Sequence, residues 1–279
     1  MAVTDFSTYK SLLQQYPTRL ISKVAIGDTS RLQSCWASAP IPGLAPTTAT
    51  ALSDSTTGAI TFERLGLPAA TTKTRRLAQV QTRTSLNVTS IALATLVIDR
   101  LSHQGGLSGT TTGAQTTNLP TAALTRYTSG EGVFAALEIY GTVGTTATTA
   151  TVSYTNQAGT AGQISPAFVF GGSGNRSAGT MLIVPLADGD TGVRSVESVT
   201  LAASTTTAGN FGVTLFKILD WVPGGNAGFD NTTGPVDAFL GGGGLCPVVE
   251  DNACIQLCSF SGATTVTQLC SLKFIEDDV

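Results

Sequence analysis

Across residues 86–222 apolar and polar positions alternate over short stretches rather than recurring at helical spacing. In Val133-Phe-Ala-Ala-Leu-Glu-Ile-Tyr140, the residues Val133, Ala135, Leu137 and Ile139 share one face of an extended chain, and Phe211, Val213 and Leu215 repeat the pattern later. The alternation predicts strands near 88–101, 132–141, 148–155, 163–170, 180–186, 193–203 and 210–221. Turn clusters separate them: Gly105-Gly106, Gly141–Gly144, Asn156-Gln-Ala-Gly159, Gly171-Gly-Ser-Gly-Asn175, Asp188-Gly-Asp190 and Ala208-Gly-Asn210. Seven short strands with little helical periodicity predict a mainly β fold, an antiparallel β-sandwich or jelly-roll-like domain with extended N- and C-terminal arms.

The flanking zones differ in pattern. Phe6, Tyr9, Leu12 and Leu13 fall at helical spacing and predict one short helix over 5–15, capped by Asp5 or Thr4 and ended by Pro17. Pro40, Pro42 and Pro46, followed by a Thr/Ala/Ser stretch to Gly58, read as an extended arm, so 1–85 is expected to be an N-terminal arm with one helix. Residues 86–222 form the expected sandwich domain. The third zone, 223–279, opens on Pro223-Gly-Gly-Asn-Ala-Gly228 and carries four glycines at Gly241–Gly244, which read as hinges. Beyond them Ala253–Phe260 and Thr264–Ile275 predict a β-hairpin about Ser261-Gly-Ala263. No repeat of 20–50 residues is present, which disfavours solenoids and propellers.

Composition narrows the function classes. Charged residues make up 12% of the 279 positions, where an ordinary soluble domain carries about 25%. Threonine, at 45 residues, and glycine, at 31, fill much of the difference. Mean hydropathy is +0.21, yet the longest apolar run, Ile91–Ile98, spans eight residues and contains a threonine, far short of the ~20 needed to cross a bilayer as a helix. A hydrophobic content of 42% with a net charge of −3 excludes a disordered polar chain. A sequence pI of about 5.1 argues against nucleic acid as a partner, since such a surface is basic. The opening Met1-Ala-Val-Thr-Asp-Phe-Ser7 lacks a basic and then apolar leader, and cytosolic synthesis is expected.

Candidate chemistry is sparse, and neither a catalytic set nor a cofactor site is expected. The single histidine, His103, lies four residues after Asp99, but no serine sits in a Gly-x-Ser-x-Gly turn, so a turn or surface role is expected. Gly171-Gly-Ser-Gly174 is not followed by the Gly-Lys-Ser/Thr of a phosphate loop and reads as an ordinary loop. Asp188 and Asp190 offer oxygens to calcium, but Asp-Gly between two strands is first a hairpin signal. Lys73, Arg75, Arg76 and Arg83 concentrate four basic residues in eleven positions; they read as a solvated or salt-bridged face, or as contacts to an acidic protein partner. Cys246, Cys254, Cys258 and Cys270 crowd the last 34 residues, with Cys35 apart. Their spacing fits zinc poorly. A hairpin turning at 261–263 places Cys254 opposite Cys270, so free thiols and a Cys254–Cys270 disulfide both stay open. Asn-x-Ser/Thr matches at Asn87, Asn175 and Asn231 are expected by chance in so threonine-rich a chain.

Three segments carry a resemblance. Val152-Ser-Tyr-Thr-Asn-Gln-Ala-Gly-Thr160, Gly189-Asp-Thr-Gly-Val-Arg-Ser-Val-Glu-Ser-Val-Thr-Leu201 and Thr207-Ala-Gly-Asn-Phe-Gly-Val-Thr-Leu215 are similar to segments of tailed-bacteriophage virion structural proteins, a likeness of phrasing that covers about 90–222. What the resemblance implies is a non-enzymatic virion protein assembled in the host cytoplasm. The nearest such role is a capsid decoration (cement) protein, whose partners are the major capsid protein and neighbouring copies of itself, often as a homotrimer. A tail or head–tail connector protein fits the same features. A carbohydrate- or receptor-binding module is disfavoured by only two tryptophans and 6% aromatics.

Overall fold

Short Thr- and Val-rich runs, punctuated by glycine turns, form the strands of the computed structural model, which describes residues 6–15, 18–35, 50–51, 60, 62, 65, 67, 72–84, 92–117, 124–223, 236–237, 246–262 and 264–278. The elements in chain order are α1 (Phe6–Gln15), β1 (Thr18–Ile26), β2 (Arg31–Ser34), β3 (Thr50–Ala51), β4 (Thr74–Thr84), β5 (Ala92–Leu107), β6 (Gln115–Thr116), β7 (Val133–Gly141) and β8 (Thr148–Asn156). They continue with β9 (Gln163–Ile164), β10 (Phe168–Phe170), β11 (Thr180–Ile183), β12 (Val193–Leu201), β13 (Asn210–Pro223), β14 (Val236–Asp237), β15 (Ile255–Ser261) and β16 (Thr265–Asp277). The fold is mainly β and its strand pairs are antiparallel, in keeping with a sandwich or jelly-roll-like class. None of the described helices is long and apolar enough to cross a membrane.

Three sheets share this architecture. One runs β13-β7-β11-β2-β15-β5-β3, and a further β13–β5 pairing closes six of its strands into a barrel. The second runs β10-β8-β12-β6 with β9 on β8, and the third runs β1-β16-β4-β14. The outer face of β7 and β13 presents Val133, Leu137, Ile139, Phe211 and Val213 to Val152, Tyr154, Val196 and Val199 of the second sheet, which makes one sandwich core. The other side of the barrel, with Val97, Ile255 and Leu257, packs on Leu77, Val80, Leu272 and Phe274 of the third sheet, and Phe62 closes that core. The barrel wall therefore carries a sheet on each flank. Leu12 of α1 docks against Ala78 and Ile275.

The resemblance-bearing segments converge. They lie in β8, β12 and β13; β8 pairs with β12, and β13 packs across the same core.

Several strand expectations meet local chemistry that reshapes them. The stretch expected over 163–170 is split into β9 and β10, with Pro166, which has no N–H for a ladder, between the two pieces. β11 stops at Ile183, short of Pro185. β5 instead runs past its expected end to Leu107 and through Gly105-Gly106, which lack side chains where β13 passes closest: a Cβ on Gly212 would lie 1.4 Å from the Gln104 carbonyl oxygen. Residues of the first zone also form strands, β2 lying between β11 and β15 as a barrel stave, and β1 and β4 flanking β16.

The C-terminal hairpin expectation is corrected in its pairing. β15 and β16 follow each other at the predicted positions, but β15 pairs with β5 and β2 while β16 pairs with β1 and β4. Cys254 and Cys270 therefore do not face each other, and all five cysteines are free, buried thiols. The Asp188–Asp190 turn likewise joins strands of different sheets, β11 and β12, rather than hairpin partners.

Candidate functional site: the barrel interior

Alternation along each barrel strand sends one set of side chains outward to the sandwich cores and the other into the barrel, stacked in layers. On β7 the inward set is Phe134, Ala136, Glu138 and Tyr140; on β5 it includes Leu96, Ile98 and Arg100; on β15 it includes Gln256, Cys258 and Phe260. The middle layer is apolar and closed, with Ile98, Ala136, Phe216 and Cys258 buried. Beneath it lies a polar layer. Arg100 and Glu138, each 1% exposed, form an ion pair, with Arg100 Nη1 donating to Glu138 Oε1 at 3.3 Å and Nη2 to Oε2. Thr214 Oγ1 donates to the same carboxylate, and Arg100 Nη2 lies 2.9 Å from His103 Nδ1. A guanidinium has donors only, so in a hydrogen bond with it Nδ1 is the acceptor. Tyr140 Oη lies 3.0 Å from the same ring nitrogen.

Electrostatics in this layer follow from burial. Desolvation works to raise the Glu138 carboxyl, but the Arg100 charge and its hydrogen bonds outweigh it and hold the group below the usual carboxylate range. Burial and the Glu138 charge push the Tyr140 phenol up. A second buried pair sits on the other face of β5, where Asp99 receives Arg126 Nε and Nη2, each at 2.8 Å, and the Cys254 amide at 2.9 Å. Asp99 and His103 thus serve separate networks, and no base–orienter chain forms between them. The Cys254 thiol is pushed up to about 12 by burial and the Asp99 charge, which keeps it protonated and inert.

Above the middle layer the barrel is open. A cavity of about 650 Å³ takes apolar lining from every stave, with Leu32 of β2, Leu96 of β5, Phe134 of β7, Ile183 of β11, Phe216 of β13 and Phe260 of β15 among it, and also from Phe168 and Val169 of β10. Its rim holds Ser30, Arg31 and Asn175. A smaller cavity of about 450 Å³ shares Phe134 and Ile183 and extends toward Asp188–Thr191.

His103, expected at a turn or surface, is instead buried within β5 in this polar layer; the basic cluster and the Asp188–Asp190 turn lie outside it. Arg75 is 1% exposed; it pairs with Glu276 at 2.8 Å, lies 3.4 Å from Asp251, and stacks over the Phe62 ring at 3.8 Å. Arg76 pairs with Asp277 at 3.2 Å and Lys73 with Asp278 at 3.6 Å. β4 lies against β16, so the basic cluster meets the acidic C-terminal residues of the same chain, and the salt-bridged face is the arrangement found. Arg83 is placed through its backbone, opposite Leu269. Asp190 accepts from Tyr154 Oη at 2.6 Å and Asn156 Nδ2 at 2.7 Å, while Asp188 is exposed. Among the described residues no three His, Cys, Asp or Glu side chains gather as metal ligands. Asn87 and Asn231 lie outside the described residues, and Asn175 is 6% exposed.

Sequence reasoning passed over Arg100, Glu138 and Arg126. Their signal was present: in a chain this poor in charge, Asp99-Arg100 and Glu138 interrupt otherwise apolar strand runs.

No protein-family model matches the sequence, and no curated protein matches it. Among solved structures, the infectious bursal disease virus VP2 subviral particle aligns over 94% of this chain and 80% of that chain at 10% identity, with a TM-score of 0.20. T=1 particles derived from the same virus align over 96% of this chain and 83% of theirs at 11% identity, also at 0.20. A TM-score of 0.20 gives no residue-by-residue correspondence, and nothing about this chain follows from it.

Proposed function

We propose that this chain is a non-enzymatic virion structural protein, and specifically a decoration (cement) protein that packs on a major capsid protein lattice and on neighbouring copies of itself. The observation that carries the reading is where the charges lie. Eight of the charged side chains, Arg75, Arg76, Arg100, Arg126, Asp99, Glu138, Glu276 and Asp277, pair with one another, three pairs between strands and Arg126 from a loop. The surface is left poorer in charge than the composition implies, while Leu20, Ile164, Val169 and Trp221 are each more than half exposed on strands of all three sheets. Freely dissolved surfaces carry about 25–35% charged residues, so faces of this kind fit cover by other subunits. Convergence of the phage-like segments on one sandwich supports the same reading. A rigid barrel flanked by sheets supplies shape, and many copies multiply modest contacts. The test is addition of the purified chain to capsids lacking it. The expected result is saturation at a stoichiometry fixed by the lattice; absence of binding overturns the proposal, and adhesion to host cells or glycans without a capsid favours a receptor-binding module instead.

A further inference from the structure

We propose that the open end of the barrel is a binding site for a single-chain amphiphile with an anionic head, a long-chain carboxylate being the simplest, with its chain in the cavity and its head on Arg31. The cavity has the size of small-molecule sites, which span roughly 300–1,000 Å³ and occur at barrel mouths. Its wall takes an apolar side chain from each of the six staves, and a small barrel normally fills such a layer with its own side chains. Here the layer is left hollow, so Phe134, Ile183 and Phe260 stay 37–41% exposed although they point inward. Apolar walls facing a void lack the contacts that a packed chain would supply, and an alkyl chain supplies them without demanding hydrogen bonds.

The cavity is blind. Ile98, Ala136 and Cys258 close it one layer down, and the Arg100–Glu138 pair lies below them, so a bound chain enters from the rim and leaves its head there. The rim presents a cation. Arg31 Nε donates to Asn175 Oδ1 at 2.7 Å and Nη1 to the Ser30 carbonyl at 2.9 Å, which holds the guanidinium in place, and among the described residues no carboxylate pairs with it. Arg100 and Arg126, by contrast, are neutralised by Glu138 and Asp99. An apolar blind cavity whose lip carries a fixed guanidinium, unpaired with any carboxylate among the described residues, matches an alkyl chain ending in an anion.

Calorimetric titration of the full purified chain, stripped of lipid, with dodecanoate and with dodecanol tests this. The expected result is saturable 1:1 binding of both, tighter for the carboxylate. Arg31→Gln, with its fold checked by circular dichroism, should weaken dodecanoate roughly tenfold and leave dodecanol unchanged. Leu96→Trp, which fills the cavity, should abolish both while circular dichroism shows a folded chain. Lack of saturable binding, uptake of many equivalents, or an Arg31→Gln variant that binds both ligands as wild type overturns the proposal. The measurement uses the isolated chain, so its outcome is independent of capsid binding.

Discussion

Arg100 and Glu138 are buried together in the barrel, where a single missing partner matters more than the pair itself. Removing one member of a buried ion pair leaves an uncompensated charge and typically costs about 3–5 kcal/mol, whereas replacing both by apolar residues is often neutral. Arg100→Met is therefore expected to destabilise the chain by about 3–5 kcal/mol near neutral pH, with Arg100→Met/Glu138→Leu recovering much of the loss, as read by urea unfolding. The pH dependence has a defined sign. The Glu138 carboxyl sits below its usual 4.5 in the folded state because Arg100 outweighs desolvation, so its stabilisation is present above that value and is lost as pH falls through the folded pKa. The deficit of Arg100→Met relative to wild type should accordingly shrink in acid. A deficit that stays constant between about pH 3 and 7 would show that the carboxylate is not the group responsible.

Strand β13 seals the barrel against β5, and the seam depends on Gly212. A methyl group there would meet the Gln104 carbonyl at 1.4 Å, so Gly212→Ala must push the two strands apart. The expected cost is about 3 kcal/mol, with hydrogen-exchange protection lost first along the β5–β13 ladder rather than in β8 or β12. Uniform loss across all sheets would mean that the seam is not a separate weak point. The strands of this region were legible because Thr- and Val-rich runs end at glycine clusters, and α1 was legible from the spacing of Leu12 and its neighbours. Strand β2 was not. Its residues Leu32, Gln33 and Ser34 are buried on both faces, which erases the alternation that marks a half-exposed strand. The β15–β16 pairing misled for a different reason: sequence proximity favours a hairpin, but the partners are set by distant apolar faces, Ile255 and Leu257 on one core with Leu272 and Phe274 across it. Of the basic cluster Lys73, Arg75, Arg76 and Arg83, the first three meet carboxylates of β16 and the residue after it, partners as far as 201 positions away for Arg75 and Arg76 that no local spacing signals. The cavity left no trace in the sequence, because its wall is made of ordinary apolar residues drawn from every stave.

At the scale of the whole molecule, the distribution of charge makes a claim about how the chain meets its neighbours. Arg75, Arg76, Arg100 and Arg126 already hold carboxylates of their own chain, so these four are not available to hold a partner. Exposed Leu20, Ile164 and Trp221 offer contact by apolar area instead. Salt separates the two modes, since ions screen exposed charge pairs over a Debye length of about 10 Å at 0.1 M and leave apolar contact intact or strengthened. If the proposed decoration role holds, affinity for a capsid should change less than about threefold between roughly 50 and 500 mM sodium chloride. A fall of tenfold or more would place the interface on exposed cations such as Arg19 and Lys10 rather than on apolar faces. In that case the low charge of the chain would not mark faces covered by other subunits.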